Sequence, residues 1–295
     1  MLLSTQTDYF QRKYGDIAAV RRLKAAGFDA MDFSLFAYPI HGEVLSMPLG
    51  DQMKYFGQLK AVADEEGILF GQIHSPFPTY INGPEDSYIF EKVAQSMAIC
   101  AVLGSPYNVV HPNVPKERIY DQFKDECWEL NRDFYSRLIP FAKDAGVKIA
   151  VENMFNRDPI LNKYCPTVVS TGEELCAYID RLNEIAQEEV FVACLDVGHA
   201  LITDDTPEHM IRQLGDRLQV LHIQDNNGIR DAHTMPYMGR IDWNEVAKAL
   251  KEVNYRGTFS LEADNTYRVV GKECDDITLA FMQAVGRSII AKTGL

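Results

Sequence analysis

Residues 148–199 read KIAVENMFNRDPILNKYCPTVVSTGEELCAYIDRLNEIAQEEVFVACLDVGH. Lys148–Asn153 is a short apolar run that closes on Glu-Asn, and Phe191–Asp196 is a second that closes on Asp. Both have the length and composition of buried strands. Between them, Gly172–Glu184 repeats apolar residues near the helical period, as an amphipathic helix does. A buried strand, a helix and another buried strand form the unit from which parallel sheets are built.

The same alternation extends in both directions. Strands are expected at Leu2–Gln6, Ala30–Phe36, Ile68–His74, Tyr107–His111, Lys148–Asn153, Phe191–Asp196, Leu218–Asp225 and Thr258–Asp264. Helices are expected at Asp16–Ala26, Asp51–Glu66, Ser87–Leu103, Glu126–Ala145, Gly172–Glu184, Pro207–Leu214, Trp243–Val253 and Asp275–Lys292. Eight such units in 295 residues predict a single α/β domain over 1–295, a closed (β/α)₈ TIM barrel. An open doubly wound sheet normally carries a Gly-rich turn after its first strand, and none follows Leu2–Gln6. Glycines in AAGF, EEGI, VLGS, DAGV and NYRGT are expected to end helices ahead of the next strand.

Composition narrows the classes of function. Hydrophobic residues make up 46% and charged residues 24%, ordinary for a globular chain, and the net charge is −13. That charge disfavours nucleic acid and anionic membranes as partners and favours a small molecule. No apolar run approaches the roughly 20 residues that span a bilayer. MLLSTQTDYFQRK turns polar after three residues, so no secretory leader is expected. The cysteines, Cys100, Cys127, Cys165, Cys176, Cys194 and Cys274, form no CxxC pair, which suits a reducing cytoplasm. No dinucleotide fingerprint is present.

The predicted strands share a feature at their ends. The third closes on IHSPFP, the fourth on VVHP, the fifth on AVEN, the sixth on CLDVGH, the seventh on LHIQD and the eighth on SLEAD. In a barrel these ends all meet on one face, where active sites form. Five of the seven histidines, His74, His111, His199, His222 and His233, fall there, while His41 and His209 do not. Carboxylates crowded at a buried face repel one another and desolvate at a cost, which a divalent cation removes. Oxygen-rich ligands with a histidine suit Mn, Mg, Co or Zn.

The stretch LHIQDNNGIRDAHTMPYMGRIDW, Leu221–Trp243, resembles the H-x-x-D-N…D-x-H-x-x-P-G-x-G-x-I-D-W segment of the xylose isomerase-like TIM barrel superfamily, and CLDVGH and VEN are further matches. The resemblance runs from about His74 to Glu262. That superfamily includes sugar phosphate isomerases and epimerases, ketose 3-epimerases, inosose dehydratases and the endonuclease IV class. In its epimerase branch the resemblance implies one divalent metal held by Glu152, Asp196, His222 and Glu262. Glu152 and Glu262 would also act as catalytic acid and base, His199 would contact a substrate oxygen, and Asp158 falls where a second substrate-contacting acid often stands. The implied function is a sugar, sugar phosphate or polyol isomerase or epimerase, working by proton transfer through a metal-bound enediolate.

In the endonuclease IV branch the resemblance implies three Zn ions, held by His74, His111, Glu152, Asp196, His199, His222, Asp231, His233 and Glu262, and cleavage of abasic DNA. The absence of a Gly-Ala-His stretch on the first strand, the VVHPNVP continuation of the fourth and the acidic charge all depart from that branch. An inosose dehydratase-like lyase is a further alternative, and so is a barrel that binds sugar without catalysis. Tyr237 replaces the first Gly of the Pro-Gly-x-Gly motif and is a candidate substrate contact. Arg230 is another, and Arg240 stands nearby. Phe77, Tyr80, Phe155 and Tyr237 are candidates for a sugar-stacking wall. A homo-oligomer, most simply a dimer, is the default among symmetric assemblies.

Overall fold

The computed structural model describes residues 1–79, 85–114, 120–158 and 160–295, without the side chain of Lys272. Eight parallel strands form its centre: β1 (Leu2–Thr5), β2 (Ala30–Ser34), β3 (Leu69–His74), β4 (Tyr107–Val110), β5 (Lys148–Glu152), β8 (Phe191–Asp196), β9 (Leu218–His222) and β10 (Thr258–Leu261). An antiparallel hairpin, β6 (Phe155–Arg157) and β7 (Tyr164–Pro166), follows β5. Strands β2, β3, β4, β5, β8 and β9 pair in that order, and β1 pairs with β10. Two seams close the ring. The Glu262 amide donates to Ile223 O at 2.9 Å between the ends of β10 and β9, and the Thr7 amide donates to Asp32 O at 3.1 Å between β1 and β2. This is the expected TIM barrel.

The helices that return the chain are α2 (Asp16–Ala25), α4 (Leu49–Glu66), α5 (Asp86–Leu103), α6 (Lys124–Ala145), α7 (Gly172–Ala186), α9 (Pro207–Leu214), α10 (Trp243–Glu252) and α12 (Asp275–Thr293). Four short helices were not anticipated: α1 (Asp8–Tyr14), α3 (Glu43–Ser46), α8 (Val197–Ile202) and α11 (Asn265–Val270). With the hairpin, α1, α8 and α11 decorate the face where the strands end. The seventh strand is shorter than expected, stopping at His222 rather than Asp225, because Gln224 and Asp225 turn into side-chain hydrogen bonds with the following loop.

Strand periodicity sets what faces inward. On β5, Ile149 and Val151 pack outward with the helix-facing core, while Ala150 joins Val109, Val192, Cys194 and Val220 in a separate apolar cluster inside the barrel. The next inward positions on these strands are Glu152, Asp196 and His222. Side chains alternate with a period of two, so each polar residue caps an apolar interior column. The registers Glu152↔Cys194 and Asp196↔His222 bring the three to neighbouring heights.

The helix ends follow the glycine expectation at four sites: Gly27, Gly67, Gly104 and Gly146 take φ of 91°, 69°, 73° and 65°. The fifth, NYRGT, is a correction. Asn254 adopts the left-handed conformation there (φ 53°), and Gly257 is required by space instead, since a Cβ would lie 2.4 Å from Gln219 O. Among the described residues no helix is long and apolar enough to cross a membrane.

Candidate metal centre

Glu152, Asp196, His222 and Glu262 close the inward columns of β5, β8, β9 and β10, and one ligand atom from each lies within 4.8 Å of all the others. His222 Nδ1 stands 3.2 Å from Glu152 Oε1 and 3.0 Å from Glu262 Oε2. All four residues are buried, and Glu152 Oε2, Glu262 Oε2 and His222 Nδ1 have no aligned hydrogen-bond partner. Buried polar atoms left unmatched are costly unless something is bound beside them. Three carboxylates and an imidazole at this spacing fit a divalent cation.

Two further groups flank this one. His74 Nε2 and His111 Nε2 are 2.8 Å apart, and His111 Nε2 is 3.0 Å from Glu152 Oε2, so Glu152 presents one oxygen to each side. On the other side Asp196, His199 and His233 bring ligand atoms within 4.8 Å of one another. Asp231 accepts from His233 Nε2 at 2.9 Å and lies 3.7 Å from His199 Nε2. The residues named from sequence as additional ligands or substrate contacts, His74, His111, His199, Asp231 and His233, are therefore gathered into one continuous cluster.

Neighbours that sequence reasoning did not single out hold this cluster in place. Gln6 Nε2 donates to Glu262 Oε1 at 2.6 Å, and Gln224 Nε2 bridges Asp231 Oδ1 at 2.5 Å and Asp196 Oδ2 at 3.3 Å. Asn153 clamps the backbone of Asp196, accepting from its amide at 2.7 Å and donating to its carbonyl at 3.0 Å, and its own carbonyl meets His199 Nδ1 at 2.8 Å. The loop carrying Asp231 and His233 is tied down by buried Asp225, which accepts from the amides of Tyr237 and Ile241 and from Trp243 Nε1 at 2.9–3.2 Å. Amides carry no charge and so do not announce themselves as ligands or supports, even where, as with Asn153 in VEN, they sit inside a quoted motif. Asp32, on β2, lies 3.2 Å from His222 Nε2.

Electrostatics follow the packing. Burial opposes ionisation of Glu152 and Glu262, but the positive field of His222, joined by His111 for Glu152 and His233 for Glu262, outweighs it and holds both carboxyls well below the usual range. Asp196 goes the other way, pushed up to about 7 by burial and the Glu262 charge against the pull of His199. Burial lowers His74 to about 3, reinforced by the neighbouring imidazoles of His111 and His222, so its ring is neutral and able to ligate.

The weaker candidates fall outside the cluster. Asp158 is engaged in a turn, accepting from the amides of Ile160 and Leu161 at 2.7 and 2.9 Å. Tyr237 takes φ 73° where the motif has glycine, and its side chain turns away from the barrel axis, its hydroxyl accepting from Lys292 Nζ at 2.9 Å and its ring 6.3 Å from Trp243. Arg230 and Arg240 are exposed. Phe155 stands edge-on to His199 at 4.8 Å and Phe77 to His111 at 5.9 Å, giving the cluster aromatic walls, while Tyr80 lies outside the described residues.

Comparison with known proteins agrees with this architecture. Inosose dehydratase of Geobacillus kaustophilus is 24% identical over 238 residues, spanning 71% of this chain and 72% of its own. D-psicose 3-epimerase of Enterocloster bolteae is 33% identical over a shorter stretch of 103 residues, 35% of this chain and 31% of its own. The crystal structure of the IOLI protein with a bound zinc atom superposes with a TM-score of 0.71 at 18% identity, covering 99% of both chains. The description of one family matches from residue 20 to residue 278, and the chain belongs to it: the xylose isomerase-like TIM barrels.

Proposed function

We propose that the protein is a divalent-metal-dependent isomerase or epimerase of a ketose, a sugar phosphate or a related polyol. The observation that carries this reading is the pair Glu152 and Glu262, set at the ends of β5 and β10 with His222 Nδ1 between them at 3.2 and 3.0 Å. Glu152, Asp196, His222 and Glu262 would hold the ion, of which Mn, Co, Zn and Mg are candidates, and similarity to a zinc-binding IOLI protein supports the assignment. Such an ion supplies Lewis-acid stabilisation of charge that develops on a carbonyl oxygen.

The chain's own residues supply the proton transfers. One of the two glutamates takes the proton from the carbon beside the carbonyl, leaving an enediolate. The other, once protonated by solvent, gives a proton to that carbon or its neighbour, and exchange with water restores both carboxylates. Both carboxyls are held ionised, so either can serve as the acceptor. His199, kept in place by Asn153, is available to a substrate hydroxyl. Departure of a neighbouring hydroxyl from the same enediolate as water, protonated by the glutamate that took the proton from carbon, is dehydration, and the inosose dehydratase relationship makes inososes part of the substrate search.

The experiment is solvent exchange. Metal-loaded protein incubated in D₂O with ketoses and inososes is followed by NMR for deuterium at the carbon next to the carbonyl. Exchange with any of them supports proton transfer, and none across both classes sinks the reading. A second reading rests on a separate observation, the flanking groups at His74–His111–Glu152 and Asp196–His199–His233. Three zinc ions there would suit phosphodiester cleavage, against a net charge of −13 that repels DNA. With no disulfide among the six cysteines, we take residues 1–295 as one domain acting in a reducing cytoplasm.

A further inference from the structure

We infer that Asp32 is the positioning residue that sets which nitrogen of His222 faces the metal; this rests on the metal-centre reading above. Asp32 lies inside the barrel on β2, fully buried. Its Oδ2 is 3.2 Å from His222 Nε2, accepts from Gln72 Nε2 at 2.8 Å, and is 3.4 Å from Ser260 Oγ, while Oδ1 has no partner. The other ring nitrogen, Nδ1, points the opposite way, between Glu152 and Glu262.

A neutral imidazole carries one N–H and one lone pair. To offer Nδ1 to a cation, His222 must keep its proton on Nε2. Asp32 Oδ2 already accepts from Gln72 Nε2, so it presents a lone pair rather than a proton to His222 Nε2, selects that tautomer and opposes rotation of the ring. Carboxylate partners of ligating histidines act in this way. Neither nitrogen of His222 forms an aligned hydrogen bond among the described residues, and Asp32 is the carboxyl that lies beside Nε2, at 3.2 Å. Gln6 and Gln224 support Glu262 and Asp196 with amides, whereas Asp32 brings a carboxyl. Asp32, His74 and His222 also bring ligand atoms within 4.8 Å of one another. An ion at Nε2 would strip the ring of its proton or leave Nδ1 without a lone pair, so Asp32 serves the ring rather than a second ion.

The test compares full-length wild type, Asp32→Ala and Asp32→Asn, each stripped by chelator and titrated with Co²⁺. Affinity comes from chelator competition, coordination from the visible Co²⁺ spectrum, and folding from melting without metal. Asp32→Ala is expected to weaken Co²⁺ binding by about 10–100-fold, and Asp32→Asn, which retains an acceptor, by about tenfold. A buried structural residue with no hold on the ring would lower melting and leave the affinity and spectrum of the folded fraction unchanged, which overturns the proposal. If Asp32→Ala does not fold, Asp32→Asn decides, and wild-type affinity in that variant overturns it. A wild type that binds no Co²⁺ is a different result: it removes the metal centre itself, and the role of Asp32 with it.

Discussion

His222 Nδ1 lies 3.0 Å from Glu262 Oε2, although the two residues belong to strands joined only at their ends. The contact exists because the inward columns of β9 and β10 reach the same height. The seam at Ile223, whose amide donates to Ser260 O at 2.7 Å and whose carbonyl accepts from Glu262, fixes that height. Barrel closure therefore assembles the site: without the β9–β10 seam the two groups would not meet.

Removal of metal should show in stability before it shows in chemistry. Ligand bound only to the folded state stabilises by about 2.7 kcal/mol when present at 100 times its dissociation constant. Dialysis against chelator should lower the melting temperature by several degrees, and Mn²⁺, Co²⁺ or Zn²⁺ should restore it. Elemental analysis of protein purified without chelator should give about one ion per chain for the sugar-active reading and about three for the phosphodiesterase. A chain with no metal and no metal-dependent shift in melting refutes both.

Glu152→Gln keeps the shape and removes the charge. Because Glu152 Oε1 faces His222 and Oε2 faces His111, the amide cannot satisfy both sides as the carboxylate does. Turnover should fall by roughly 10²–10⁴-fold, the usual size of a lost acid–base group, while far-UV circular dichroism stays unchanged. Retained turnover on any substrate would remove Glu152 from the chemistry.

His233→Ala separates the two readings of the site. His233 is half-buried at φ 45°, held by Asp231 and the Glu262 carbonyl, and it belongs to the flanking group with Asp196 and His199 rather than to the set of four central ligands. In a one-metal epimerase the substitution should leave turnover within a few-fold, with a stability loss of about 1 kcal/mol from the lost hydrogen bonds. In a three-metal phosphodiesterase it should lower zinc content and abolish activity.

Much of this arrangement is legible in the chain before folding, and the reason is periodicity. Glu152, Asp196 and His222 end apolar runs at positions two beyond an inward Ala150, Cys194 or Val220, so the step of two that marks a strand also marks the ligand. Asp32 escapes the same reading because it stands mid-run in AMDFS, where an acid looks like an interruption rather than an end. The helix Asp8–Tyr14 escapes because seven polar and aromatic residues show no period. It is held by tertiary contacts, Tyr9 stacking on Tyr267 at 4.7 Å and Tyr14 donating to Asp275 at 2.9 Å. The direction of Tyr237 is hidden from the sequence for a related reason: a side chain on a left-handed backbone is aimed by the loop around Asp225, which no local pattern encodes.

Asp8 offers a pH test that does not depend on any substrate. It begins α1 beside the cluster, and burial together with the Asp264 charge raises its carboxyl from 3.8 to about 6, against the pull of Arg12. A carboxyl whose folded value is raised favours the folded state most when protonated. Its contribution is complete below about pH 4 and is lost as the pH climbs through 6. The shift corresponds to at most about 3 kcal/mol at neutral pH. Asp8→Asn removes that penalty, so urea melts in the presence of chelator should find the variant more stable than wild type at pH 7.5 by about 1–3 kcal/mol, with the gap closing towards pH 4. A gap that is constant across this range would mean that Asp8 ionises as freely in the folded protein as in the unfolded chain.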